Sequence, residues 1–179
     1  MISELEVLKD VCGRLDRAGI SYMLTGSMAM NFYAQPRMTR DIDIVIEVGL
    51  SDAPVLQALF EPDYYVAADS VLTAVQQPGM FNILHLASVV KVDFVVRKDE
   101  SFRRQEFQRR RQLDLSGAAV WVVSKEDLIL SKLLWARESA SELQTRDVRN
   151  LLNTGPDMTY VRDWAARLGL TALLDECLK

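Results

Sequence analysis

Thr39-Arg40-Asp41-Ile42-Asp43-Ile44-Val45-Ile46 is a β-branched run in which acidic and apolar positions alternate. Such alternation predicts a strand, and residues two apart on a strand point to one face, so Asp41 and Asp43 converge on one point. Like charges held a few Å apart resist joint ionisation, and a divalent cation that neutralises them stabilises the arrangement. Hard oxygen ligands favour magnesium or manganese. The alternative is a half-exposed strand whose acids face water.

Upstream, Ser21-Tyr22-Met23-Leu24 predicts a short strand and Met28 to Ala34 a helix, which puts Gly26-Ser27 at a strand-to-helix turn. A phosphate suits that turn. Helix N-termini offer unpaired N–H groups, glycine allows close backbone approach, and the Ser27 hydroxyl is a further donor. Downstream, Val89-Val90-Lys91-Val92-Asp93-Phe94-Val95-Val96 predicts an apolar strand interrupted on one face by Lys91 and Asp93. An acid in such a strand either pairs with Lys91 or a neighbour, or completes a carboxylate triad with Asp41 and Asp43.

Taken in order, Leu24-Thr25-Gly26-Ser27, then Asp41-Ile42-Asp43-Ile44, then a later strand bearing Asp93 resembles the signature of the DNA polymerase beta-like nucleotidyltransferase superfamily. Lys91-Val92-Asp93 resembles the Lys-x-Asp motif of the abortive-infection AbiE-type (AbiEii-like) toxin nucleotidyltransferases. Leu128 through Lys132 resembles their helical motif ending in lysine, and Asp147 falls where that group has its last acidic motif. The resemblance spans residues 20–150 and implies metal-dependent transfer of a nucleoside monophosphate from an NTP to an acceptor hydroxyl.

In that scheme Asp41, Asp43 and Asp93 are the catalytic residues and the ligands of Mg2+ or Mn2+, with Asp93 also a candidate proton acceptor. Gly26, Ser27, Arg40, Lys91 and Lys132 are the candidate nucleotide-binding residues. For Lys132 the alternative is the polar side of a buried helix, and for Arg37 and Arg40 it is loop solubility. Arg103, Arg104, Arg109, Arg110 and Arg111 form the one dense basic run, predicted as a helix over 100–111. They are candidates for holding an RNA acceptor such as a tRNA end, with Phe102 or Phe107 for stacking, or else a solvated helix face paired with acids. A toxin-antitoxin enzyme with a cognate protein partner is the expected role. A protein-modifying antitoxin, an antibiotic nucleotidyltransferase and a non-catalytic nucleotide-binding module are the alternatives.

Composition allows this and removes other classes. A chain of 179 residues is long enough for one domain with a sizeable core. Cys12 and Cys177 lack metal-ligand spacing, and His85 is the single histidine, which excludes a His-rich zinc site. A net charge of -4 argues against a chain that binds nucleic acid throughout. Neither a signal peptide nor an apolar membrane span is visible, so the expected location is cytoplasmic.

The expected fold class is α+β: a mixed β-sheet core with packed helices over residues 1–123, opening on an N-terminal helix, and a helical C-terminal region over 124–179. Ser3 with Glu6, and Ser124 with Asp127, predict capping boxes. Ser51 is the expected cap of a helix running through Leu59, and residues from Glu142 onward are predicted helical with a break at Thr154-Gly155-Pro156.

Overall fold

A computed structural model describes residues 2–36, 39, 41–139 and 141–179. The chain opens with α1 (Glu4–Arg17), whose start is fixed by reciprocal bonds: Glu6 N–H donates to Ser3 Oγ, and Ser3 N–H donates to the Glu6 carboxylate at 2.7 Å. Val7, Leu8, Val11, Cys12 and Leu15 fall on its inner face and are buried. Then come β1 (Ser21–Thr25), α2 (Gly26–Met30) and β2 (Ile42–Glu47).

After β2 a 3-10 turn at Leu50–Asp52 leads into α3 (Ala53–Phe60). The expected Ser51 cap is not used; Asp52 instead accepts the Gly49 N–H at 2.7 Å, and proline sits in the first turn of the helix. A strand and a helix follow that carry weak sequence signals, β3 (Tyr64–Val66) and α4 (Ala68–Gln76). β4 (Met80–His85) and β5 (Lys91–Val96) then pair antiparallel.

The predicted helix over 100–111 is shorter. It is α5 (Ser101–Gln108), and Arg111–Leu115 is a strand, β6, paired antiparallel with β7 (Ala118–Val122). The reason is local. Ser116 (φ 50) and Gly117 (φ 85) form a two-residue turn of the hairpin type, so Leu115 meets Ala118 and the pairing propagates back to Arg111. The C-terminal part is helical as expected: α6 (Lys125–Ser139), α7 (Glu142–Leu152), α8 (Met158–Arg167) and α9 (Thr171–Cys177). It carries one more break than predicted, at Gly169, whose φ of +68 ends α8.

The strands form one seven-stranded mixed sheet in the order β3-β4-β5-β2-β1-β7-β6, with β2–β5 and β1–β7 parallel. One face of the sheet carries Ile42, Ile44, Ile46, Val92, Phe94, Phe81 and Ile83, all buried with α1, α3 and α4 in the main core. The opposite face is covered by α2 over β1 and β2, with α6 packed on α2, but among the described residues it stays open over β3, β4 and β5, with Tyr65, Met80, Asn82 and Lys91 exposed. Among the described residues no helix is long and apolar enough to cross a membrane.

Helix α6 is the spine of the second half. Leu128, Ile129, Leu130 and Leu133 are fully buried, and so are the polar Asp127, Ser131 and Lys132, because each meets a partner from another element. Ser131 Oγ donates to Glu106 at 2.5 Å and accepts from Arg103 at 2.7 Å. Burial pushes the Glu106 carboxyl up, and Arg103, at 2.9 Å, opposes that shift. Asp127 takes Arg109 Nε at 3.0 Å, the Tyr160 hydroxyl at 2.7 Å and the Ser124 hydroxyl at 2.5 Å. These contacts lock α5 and α8 to α6.

Candidate active site

Asp43 and Asp93 occupy directly paired positions on the parallel strands β2 and β5, and Asp43 also faces Thr25 across β1. Paired residues share a face, so the sheet register alone brings the acids side by side. Asn82 is the partner of Asp93 on β4, which extends the row to Asn82–Asp93–Asp43–Thr25. Asn82 carries no motif in the sequence. Its only local signal is its place between the inward Phe81 and Ile83, and its position beside the acids depends on register between strands.

Gly26 closes the row. Its φ of +66 turns the chain from β1 into α2, and a Cβ added there would lie 2.0 Å from Asp43 Oδ2 and 2.8 Å from Cγ. No residue but glycine leaves the Asp43 carboxylate in this position. Ser27 follows in the first turn of α2, half-buried. Asp41 lies just before β2 and is exposed, and its charge acts on Asp43. Arg40, with Arg37, lies outside the described residues.

Burial first, then the Asp93 and Asp41 charges, push the Asp43 carboxyl up to about 6, against the pull of Lys132 and Lys91. Lys91 Nζ sits 2.7 Å from Asp93 Oδ2, and this contact raises the lysine. Lys132 is wholly buried, bound to Asp147 Oδ2 at 2.9 Å and Gln144 Oε1 at 3.1 Å. Its ammonium therefore reaches the site as a buried charge felt at Asp43.

The basic run is not a continuous cationic face. Arg103 and Arg109 are drawn inward to Glu106, Ser131 and Asp127 as described above, Arg109 also lying 3.9 Å over the Tyr160 ring. Arg110 is held between the Phe107 and Trp121 rings at 4.2 and 4.9 Å, and its pKa is lowered by burial. Arg104 pairs with Asp99 at 2.8 Å. Of the five, Arg103, Arg104 and Arg109 have carboxylate partners, and among the described residues Arg110 and Arg111 have no ion pair. Pairing and ring contacts with other elements consume cations that a count of arginines leaves on the surface.

A divalent cation fits this row by charge and donor chemistry. At the central acid, burial and the Asp93 and Asp41 charges outweigh Lys132 and Lys91, so a further cation is favoured there, and the carboxylates are hard oxygen donors. Among the described residues, no group of three or more His, Cys, Asp or Glu side chains is drawn together tightly enough to hold a metal unaided.

No family model matches the chain, and no curated protein does. Solved structures do. The antibiotic-resistance factor ANT(2'')-Ia superposes with a TM-score of 0.63 over 97% of this chain and 95% of its own, at 14% identity. The chain has the nucleotidyltransferase fold. The complex of ANT(2'')-Ia with adenylyl-2''-tobramycin superposes with a TM-score of 0.54 over 98% of this chain and 99% of its own, at 13% identity. The same fold appears in the lincosamide antibiotic adenylyltransferase LnuA, solved with lincomycin, with a TM-score of 0.53 over 83% and 94% at 17% identity. A putative nucleotidyltransferase from Thermotoga maritima matches with 0.55 over 79% and 90%, at 16% identity. In this nucleotidyltransferase fold the row runs from Asn82 and Asp93 on the open half of the sheet to Asp43 on the strand covered by α2, beside the Gly26 turn.

Gly26→Ala tests whether that turn is built for Asp43. It is expected to reduce any activity of the site more than about a hundredfold, because the new methyl evicts the Asp43 carboxylate. Gly19→Ala is the control. Gly19 has the same kind of φ, +68, but nothing lies within 4 Å of an added Cβ, so only the strain of about 1 kcal/mol or somewhat more remains. Equal losses in the two variants, followed by activity and by thermal melting, would assign the Gly26 effect to backbone strain alone.

Proposed function

We propose that this chain transfers a nucleoside monophosphate from an NTP to the hydroxyl of a small-molecule acceptor. The observation that carries the reading is the Asp43 carboxylate seated against Gly26 and in register with Asp93. Asp41, Asp43 and Asp93 would hold Mg2+ or Mn2+. When bound, the ion offsets charge that develops on the phosphoryl oxygens and lowers the pKa of the attacking hydroxyl.

The chain's own residues do the rest by position. Gly26 and Ser27 take the β and γ phosphates at the strand-to-helix turn, on one side of the row. The acceptor enters from the other side, across Asn82. Its hydroxyl oxygen forms a bond to the α-phosphorus as the bond from that phosphorus to the bridging oxygen breaks, and pyrophosphate leaves. Asp93, between Asn82 and Asp43, takes the hydroxyl proton. Lys91 releases Asp93 as the substrate arrives, and the buried Lys132 holds down the cost of charge on Asp43.

A small acceptor is favoured because the arginines suited to a polyanion are spent inside the protein. The likeness to ANT(2'')-Ia and LnuA, whose structures hold an adenylylated or free antibiotic, points the same way. An RNA end as acceptor, with the toxin role and cognate partner of the AbiE-type resemblance, needs surface cations for phosphate, and of the basic run Arg104 and Arg111 are the members left exposed. The test is incubation with each α-labelled NTP, magnesium and pools of small molecules, total RNA or lysate protein. The expected product is a labelled small molecule with one pyrophosphate released per label. Pyrophosphate from no NTP with any pool defeats the proposal.

A further inference from the structure

The open half of the sheet has a composition unlike a solvated strand surface. Tyr65 pairs with Leu84 across β3–β4, and Leu84 pairs with Lys91 across β4–β5, so an aromatic and an aliphatic side chain run in line to the residue that grips Asp93. The turn after β4 adds more. Tyr65 is 61% exposed, Leu86 58% and Val89 70%, large apolar groups left in water at the end of β4 that pairs with β3. Val89 is β-branched and held at φ 60, a backbone state that costs energy, while its N–H is fixed to His85 O at 2.8 Å. The next row holds Asn82, exposed, facing Asp93. An amide with both donors and an acceptor thus adjoins the carboxylate row, and an apolar ledge lies one residue row away.

We propose that Tyr65, Leu84, Leu86 and Val89 form the acceptor platform and Asn82 its orienting group, and that the acceptor is a small hydroxylated molecule with an apolar face. This rests on the nucleotidyl-transfer reading above. The ledge buries the apolar face, and the Asn82 amide takes a polar group of the acceptor so that one hydroxyl lies over Asp93. Charge supports the choice. Lys91, in line with the ledge, is already paired with Asp93, and the other named charges beside it are acids engaged with metal and NTP, so the ledge suits a neutral or cationic molecule.

The experiment uses lincomycin and tobramycin as small probes and total tRNA as the polyanionic one, with the full chain, magnesium and ATP or GTP. Wild type, Tyr65→Ala, Asn82→Ala and Met80→Ala are compared; all three positions are exposed, and Met80 lies on the same face one row beyond Asn82, against Val95. The expected result is labelling of an antibiotic, lincomycin above tobramycin. Tyr65→Ala and Asn82→Ala should raise the antibiotic KM by about tenfold or more with the NTP KM unchanged, while Met80→Ala matches wild type. Unchanged antibiotic KM in both variants, or labelling of tRNA alone, overturns the platform. Labelling of nothing, when magnesium and NTP together still raise the melting temperature, also overturns it and leaves nucleotide binding intact. No such rise in melting temperature marks failure of the underlying reading instead.

Discussion

Asp43→Asn is expected to abolish turnover while making the metal-free protein more stable at neutral pH. Its carboxyl is pushed from an ordinary 3.8 to about 6 by burial and by the Asp93 and Asp41 charges, so ionising it in the folded state costs free energy. A group whose folded pKa is raised contributes stability that is complete below its unfolded pKa and is lost as pH rises through the folded pKa. The window is therefore from 3.8 to about 6. At about 1.4 kcal/mol per pKa unit, discounted for the partial exposure of the site, the loss is about 2 kcal/mol. Asparagine keeps the shape and has no charge to form, so the variant's advantage over wild type should grow from nothing near pH 4 to that amount by pH 7. Turnover should fall by about a hundredfold to ten-thousandfold, since a ligand charge is removed from the site of charge development. Denaturant melts across pH, read beside pyrophosphate release, check both halves. A variant less stable than wild type at pH 7.5 would make Asp43 a structural residue.

Lys132→Met is expected to lose about 3–5 kcal/mol of stability. The ammonium is 0% exposed and bonded to Asp147, itself 0% exposed, and removing one partner leaves the other's charge in a low-dielectric interior. For a chain of this size that is a fall of about 10 °C in melting temperature. Adding Asp147→Leu should recover most of it, because a buried ion pair and an apolar pair of like volume differ little in net free energy. Activity should stay low in the double variant, since Lys132 also lowers the cost of charge on Asp43. Full recovery of activity along with stability would confine Lys132 to a packing role.

Asp41, Asp43, Gly26 and Ser27 were legible in the sequence because their signals are local: a period-2 run, and a glycine where a strand meets a helix. Asp93 was legible as an acid in an apolar strand. The row that joins Asp43, Asp93 and Asn82 was not, since Asn82 reaches Asp93 only through the β4–β5 pairing and nothing within residues 80–85 reports it. The destination of the basic run is hidden in the sequence for a related reason. Arg109 finds Asp127 and Tyr160, and Arg110 finds Trp121, in elements that follow in the chain, so charge density along residues 103–111 says nothing about charge at the surface. Lys132 and Asp147 each stood out in the sequence, but their pairing is tertiary. The weakly patterned β3 and α4 went unread, and with them Tyr65, because three strand residues at a sheet edge carry too little periodicity to register.

The central claim, that the Asp43–Asp93 row binds a divalent ion together with an NTP, is tested most directly by thermal unfolding of wild type and Asp43→Asn with magnesium alone, a non-hydrolysable NTP alone, and both. At ligand about a hundredfold above Kd, linkage gives about 2.7 kcal/mol, or a rise of about 5–10 °C for a chain of this length. Wild type should show that rise only with both ligands present, and more than the sum of the single shifts, while Asp43→Asn shows none. Additive or absent shifts in wild type, or the same synergy in Asp43→Asn, would contradict the account.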